Sequence, residues 1–257
     1  MGATPLDKAR SLFGRVPARG CWLGIPGVVP AEIIGQAGFE FAIVDLEHGP
    51  SSLETALAQL VALKAGGTAS ILRVPESAPG GALWIKRALD IGAQAILAPS
   101  VESVEDAEAC VRAFRYGPQG RRGNATRIVR AAGYGADADY LRRWNDEGLL
   151  LCQIESPGAL ERAGEIAAVE GVDGLFFGPA DYGAAAGFPE DAALEAAFAR
   201  MRSAAREAGK LSASVPFASL TAAALVADGV EVVAAASDVS ILRKGAAAVL
   251  ADAASGF

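Results

Sequence analysis

Histidine is almost missing from this sequence: His48 is the only one in 257 residues. Any chemistry near neutral pH that needs an imidazole therefore has one to use. Cysteine is also scarce. Cys21, Cys110 and Cys152 are odd in number, far apart and form no CxxC, which excludes a disulfide framework and a zinc ribbon. Positive charge is in deficit, with 23 Lys and Arg against 30 Asp and Glu, a net charge of −7. Without a basic stripe, nucleic acid is excluded as a partner. No apolar run approaches a membrane span. The segment from Met1 to Val16 is polar and has no apolar signal core, so a cytoplasmic protein with no membrane partner is expected. A dinucleotide fingerprint is missing too. Gly24-Ile25-Pro26-Gly27 has the wrong spacing and contains a proline.

What the chain does have is apolar residues, at 52%, ample for a large core. They fall into short runs that alternate with helical patterns. Strands are expected at Cys21 to Gly24, Phe41 to Asp45, Ala69 to Arg73, Ala95 to Ala98, Leu149 to Ile154, Gly174 to Phe177, Leu211 to Val215 and Val230 to Ala235. Helices are expected at Pro30 to Gln36, Ser51 to Lys64, Ala82 to Ile91, Glu102 to Phe114, Asp137 to Asp146, Pro157 to Ala168, Ala192 to Ala208, Ser219 to Ala227 and Asp238 to Ala253. A loop rich in Gly and Arg spans Gly117 to Gly135, and a Gly/Ala-rich connection follows the sixth strand. No linker divides the series. Strands apolar on both faces belong to a parallel sheet. Eight βα units in about 250 residues favour an α/β fold, a (β/α)8 TIM barrel in a single domain over residues 1–257. An open doubly wound sheet is the second choice.

A barrel places its chemistry where strands end. The second strand ends in Asp45, Glu47 and His48, the third in Arg73, the fifth in Gln153 and Glu155. The sixth runs into Gly178-Pro179-Ala180-Asp181. Solvated loops explain one such residue easily and five poorly. Alternate strand residues share a face, so Gln153 and Glu155 point the same way, as do Phe41, Ile43 and Asp45. Glu155 and Asp181 follow adjacent strands and can converge. Two carboxylates without a Cys or His cluster suit a hard divalent cation such as Mg²⁺ or Mn²⁺.

The five lysines, Lys8, Lys64, Lys86, Lys210 and Lys244, all lie away from strand C-terminal ends. A Schiff-base route needs a lysine at the reacting carbonyl. Carbonyl activation is therefore expected from a metal acting as Lewis acid. Pro216-Phe217 and Ala236-Ser237, after the last two strands, form no glycine-rich cradle, which favours an unphosphorylated substrate.

Five segments occur in order: Val44-Asp45-Leu46-Glu47-His48-Gly49-Pro50, Leu72-Arg73-Val74-Pro75, Leu89-Asp90-Ile91-Gly92-Ala93, Gln153-Ile154-Glu155-Ser156 and Phe177-Gly178-Pro179-Ala180-Asp181. Together, from about Pro17 to the last helix, the chain resembles the HpcH/HpaI family of class II, metal-dependent 2-oxo acid aldolases. The resemblance implies a (β/α)8 barrel that cleaves 4-hydroxy-2-oxo acids to pyruvate and an aldehyde. It implies a divalent metal (Mg²⁺, Mn²⁺ or Co²⁺) on Glu155 and Asp181, chelated by pyruvate. Gln153 and the segment Gly178, Pro179, Ala180 would bind substrate. Arg73 would stabilise the enolate oxygen, and His48, oriented by Asp45, would move protons through a water. It further implies a homohexamer in which a neighbouring subunit completes the site, with Arg121-Arg122-Gly123 near that boundary.

The chain departs from the family pattern at Leu46, at Tyr182-Gly183 and at Asn124-Ala125-Thr126. These positions are expected near the aldehyde half of the substrate and leave the acceptor open. An enzyme that decarboxylates oxaloacetate to form a carbon–carbon bond would share every residue named. A binding barrel without catalysis is the alternative of another class, and the combination of carboxylates, Arg73 and His48 counts against it.

Overall fold

The computed structural model describes residues 3–77 and 80–254. Eight parallel strands close into a barrel in chain order: β1 (Ala18–Leu23), β2 (Phe41–Asp45), β3 (Ala69–Arg73), β4 (Ala95–Ala98), β5 (Leu149–Ile154), β6 (Gly174–Phe177), β7 (Leu211–Ser214) and β8 (Val232–Ser237). Helix α1 (Pro5–Phe13) precedes them. Between strands run α2 (Val28–Gln36), α3 (Leu53–Ala65), α4 (Gly81–Asp90), α5 (Val104–Phe114), α6 (Tyr140–Glu147), α7 (Pro157–Glu161), α8 (Ala163–Ala168), α9 (Pro179–Ala185), α10 (Asp191–Glu207) and α11 (Ala222–Ala227). Helix α12 (Asp238–Ala254) follows β8. The single closed sheet bears out the (β/α)8 expectation. Among the described residues no helix is long and apolar enough to cross a membrane.

The period-2 alternation of each strand divides the core in two. Phe41, Ile43, Ile71, Leu97, Leu151 and Phe176 fill the lumen. Ala42, Val44, Leu72, Ile96, Leu150 and Leu175 point outward, under the helices. The lumen is thus a packed plug of side chains, and inward positions change character only at the strand ends.

Several local expectations shift or are filled in: β1 starts at Ala18 instead of Cys21, and β8 runs from Val232 to Ser237 instead of Val230 to Ala235. The polar N-terminal segment forms α1, started by a capping box in which Thr4 and Asp7 bond each other's backbone N–H. The single helix expected over Pro157 to Ala168 is two, α7 and α8, meeting at Arg162. The Gly/Ala-rich connection after β6 contains α9, which starts at Pro179.

Helix α1 stops the bottom of the barrel. Its Phe13 ring lies 5.2 Å from that of Phe41. Lys8 is buried there, its Nζ donating to Asp173 Oδ1 at 3.0 Å and to the Gly148 carbonyl at 3.1 Å. Asp173 Oδ2 accepts from the Leu150 amide. Removing one member of a buried pair leaves the other unpaired. Lys8→Met should therefore lower unfolding stability by about 3–5 kcal/mol in denaturant titration, and Asp173→Asn in the same chain should recover part of the loss.

Candidate active site

The register of β2 against β3 sets Asp45 beside Arg73. Both are inward-facing, and both are last in their strands. Their contact is bidentate: Arg73 Nε donates to Asp45 Oδ1 at 2.9 Å and Nη2 to Oδ2 at 2.7 Å. Nη1 of Arg73 lies 2.6 Å from Glu47 Oε2. The Trp22 ring stacks on the guanidinium, 4.6 Å from centroid to Cζ, and its Nε1 donates to Asp45 Oδ2. Arg73 is thus held in direction by four contacts.

Asp45 does more than hold Arg73. Its Oδ1 accepts from the main-chain N–H groups of Glu47 and His48, so it shapes the turn after β2. This is a different arrangement from the expected pairing of Asp45 with the imidazole. The His48 ring projects from that turn, with 63% of the side chain exposed and Nε2 3.9 Å from Glu47 Oε2. Burial alone would raise the Asp45 pKa. The bonds and charge of Arg73, with Trp22, outweigh it and hold the carboxyl below its ordinary value.

Across the mouth, Glu155 follows β5. Gln153 Nε2 donates to its Oε2, so the two share a face as the alternation predicts. Ser100 donates to Oε1 through both its amide (2.6 Å) and its hydroxyl (2.7 Å). Burial pushes the Glu155 pKa up, the Ser100 bonds oppose this, and the charge of Asp181 adds to the rise. Glu47 is also raised, by burial first, with Arg73 opposing and Glu155 adding to it.

Asp181 stands exposed in the first turn of α9, within electrostatic reach of Glu155. Pro179 is buried and Ala180 exposed. The Gly178 amide already donates to the Ile154 carbonyl, so it is not free for a substrate. The first-turn N–H groups of Ala180 and Asp181 have no partner within the helix.

These residues fit a divalent cation by their charge. Asp45 and Glu47 take up Arg73, and among the described residues neither Glu155 nor Asp181 has an ion pair with Lys, Arg or His. Two neighbouring carboxylates with no direct ion pair, Arg73 acting on Glu155 only from a distance, would accept a cation between them. No group of three or more His, Cys, Asp or Glu among the described residues is arranged to hold a metal. A cation here would have only Glu155 and Asp181 as carboxylate ligands, with its other places left to water or substrate.

Trp22 and Ser100 went unnoticed in the sequence, and Glu47 was noticed without a role. Each stands at or just past a strand end, which is the signal that finds them. Two family departures, Leu46 and Tyr182, are buried in the outer core, so they pack the shell instead of facing an acceptor. Arg122 is buried as well, stacked on Tyr116 and Trp144 and bonded to Asp90 at 3.1 Å. It ties its own loop to α4.

The HpcH/HpaI aldolase/citrate lyase family model matches residues 19–245. The chain is 44% identical over 210 residues to a hydroxypyruvate/pyruvate aldolase of Deinococcus radiodurans, covering 79% of this chain and 75% of the relative. It is 36% identical over 242 residues to a 4-hydroxy-2-oxo-heptane-1,7-dioate aldolase of Salmonella paratyphi C, covering 91% and 89%. The structure of an HpcH/HpaI aldolase/citrate lyase family protein from Burkholderia cenocepacia superposes with a TM-score of 0.88 at 32% identity, covering 96% and 98%. A closed eight-stranded barrel with its charged residues gathered at the strand ends, matched over nearly its whole length, makes this chain an enzyme of the HpcH/HpaI aldolase family.

Proposed function

We propose that the enzyme is a class II pyruvate aldolase. It joins or separates pyruvate and an aldehyde through a 4-hydroxy-2-oxo acid, by way of a pyruvate enolate. The observation that carries this reading is the opposition at the barrel mouth: a fixed guanidinium on one side and the carboxylate pair Glu155 and Asp181 on the other. A divalent cation held by Glu155 and Asp181 would act as Lewis acid toward the carbonyl of a 2-oxo acid. Arg73 supplies a preorganised positive charge where the enolate oxygen develops. Its rigidity matters, because a donor that need not reorient is worth more in the transition state. His48, exposed at the mouth, exchanges protons with the reacting carbon through a water. Gln153 and the first turn of α9, with Pro179 and Ala180, orient the substrate carboxylate.

We further propose that the chain works as a homo-oligomer, a hexamer by family resemblance. Helix α12 supports this. Its main contacts are with β1 and β8, while Val239, Ile241, Leu242, Val249 and Leu250 stay exposed. Such an apolar helix needs a partner. The three free, buried cysteines suit a reducing compartment, and we place the enzyme in the cytoplasm.

Three outcomes check these readings. Pyruvate methyl protons should exchange with deuterated water in the presence of Mg²⁺, Mn²⁺ or Co²⁺, followed by proton NMR. His48→Ala and Arg73→Lys should each slow exchange at least about 100-fold, and exchange no faster than a metal-only control refutes the enolate reading. If oxaloacetate loses carbon dioxide faster than any aldol is cleaved, decarboxylation becomes the physiological reaction.

The second outcome concerns pH. Folded Glu155 keeps its proton to a higher pH than the unfolded chain does. Its folded-state pKa is raised, so the stability it contributes at low pH is lost as pH rises above the ordinary 4.5. The metal-free Glu155→Gln variant should therefore gain in melting temperature relative to wild type as pH rises above 4.5. Added Mg²⁺ should stabilise only the wild type. A difference between the two proteins that does not change with pH would contradict the raised carboxyl.

The third outcome is mass. Light scattering should give a multiple of 26.1 kDa. Leu242→Glu with Leu250→Glu, two positions 64% and 72% exposed in the single chain, should release smaller species. A wild-type monomer would refute the oligomer.

A further inference from the structure

Four non-glycine residues among the described ones sit at positive φ: Ser100, Tyr134, Phe188 and Ala218. The backbone disfavours this region for any residue that has a Cβ, and such outliers persist where the surroundings enforce them. Tyr134 and Phe188 are largely exposed loop residues. Ser100, at φ +48°, is different. It lies two residues past β4, at the mouth of the barrel. In this conformation its amide and its own hydroxyl converge on one atom, Glu155 Oε1, at 2.6 and 2.7 Å. Its carbonyl accepts from the Ser77 hydroxyl at 3.3 Å, which holds the strained peptide from behind. The other carboxylate oxygen is held by Gln153. Glu155 is therefore gripped at both oxygens, and at Oε1 entirely by one residue in an unfavourable conformation.

Sequence gives no reason for a serine here. A glycine would take this φ at no cost and keep the amide donor. What serine adds is the hydroxyl. We propose that Ser100 is a positioning residue: it accepts backbone strain so that amide and hydroxyl together fix the Glu155 carboxylate for the divalent cation. This rests on the reading of Glu155 as a metal ligand. Groups that orient a ligating carboxylate influence affinity nearly as strongly as the ligand, by about 10–100-fold.

The proposal makes stability and metal affinity move in opposite directions. Ser100→Gly keeps the amide, removes the hydroxyl and relieves the φ. Its melting temperature should equal or exceed that of wild type, while Mn²⁺ binding to the full-length protein, read from the free-ion EPR signal, should weaken about tenfold or more. Ser100→Ala keeps the strain without the hydroxyl, and should weaken Mn²⁺ binding equally with no gain in melting temperature. A merely structural serine would lower both quantities together in Ser100→Gly, and that result overturns the proposal. So does Mn²⁺ affinity within twofold of wild type. Glu155→Gln, measured beside them, separates the two readings. If it weakens Mn²⁺ binding and Ser100→Gly does not, Ser100 has no positioning role. If Glu155→Gln leaves affinity unchanged, Glu155 is not a ligand and the proposal falls with it.

Discussion

A guanidinium inside a barrel must be paired, and the pairing of Arg73 with Asp45 is the constraint on which the mouth of this molecule depends. Both residues end their strands, both face inward, and the register puts them side by side. An unpaired buried charge is strongly unfavourable, so the two must be read as one unit. A slip of one residue in either strand would send that strand's own member of the pair to the outer face. The bidentate geometry fixes direction as well as distance. Trp22 then closes the unit by stacking on Arg73 while bonding Asp45. Glu47 joins it from the turn that Asp45 itself organises. With its charge committed on this side, Arg73 leaves the carboxylates across the mouth without a direct partner. Arg73 reaches Glu155 only through space, as a charge that opposes the rise of its pKa.

The opposite end of the barrel carries a different kind of ion pair. Lys8 and Asp173 are closed over by α1, and their polar groups are used up by each other and by main-chain atoms. The two ends thus divide the work: satisfied polar groups hold the bottom shut, while the top keeps groups whose needs the protein leaves partly unmet. This is the polarity that barrels of this kind share.

The strands were legible because burial on both faces leaves continuous apolar runs, and β2, β3, β4, β5 and β6 begin and end where those runs do. Asp45, Arg73, Gln153 and Glu155 were legible for the same reason, as polar residues that interrupt such a run at its end. The misses have physical causes. Helix α1 is too polar to show as core, since one face lies on the barrel bottom and the other in solvent. Helix α9 is short and set by Pro179, with small residues that carry little periodicity. Trp22 and Ser100 act on residues 23 and 55 positions away, through contacts that only the closed barrel creates. The imidazole of His48 was expected against Asp45, yet Asp45 is saturated by stronger, charged donors. A carboxylate offered a guanidinium, an indole N–H and two amides has little left for a ring.

The segment after β6 shows how a motif becomes mechanics. A Cβ on Gly178 would lie 2.7 Å from both Gln153 Nε2 and Glu155 Oε2, so any other residue would push these two side chains from their places. Glycine therefore lets the backbone pass directly beside the gripped carboxylate. Pro179 begins a helix there at once, because its fixed φ suits a first turn and its missing N–H is not needed. Two residues into that turn comes Asp181, near enough to raise the pKa of Glu155. The close approach that glycine permits and the immediate turn that proline imposes are what bring the second carboxylate to the first. Phe177, at the end of β6, anchors this turn by packing its ring 5.2 Å from that of Tyr182. Phe177, Gly178, Pro179, Asp181 and Tyr182 thus each have a separate physical task, and the approach of the two carboxylates is their joint result.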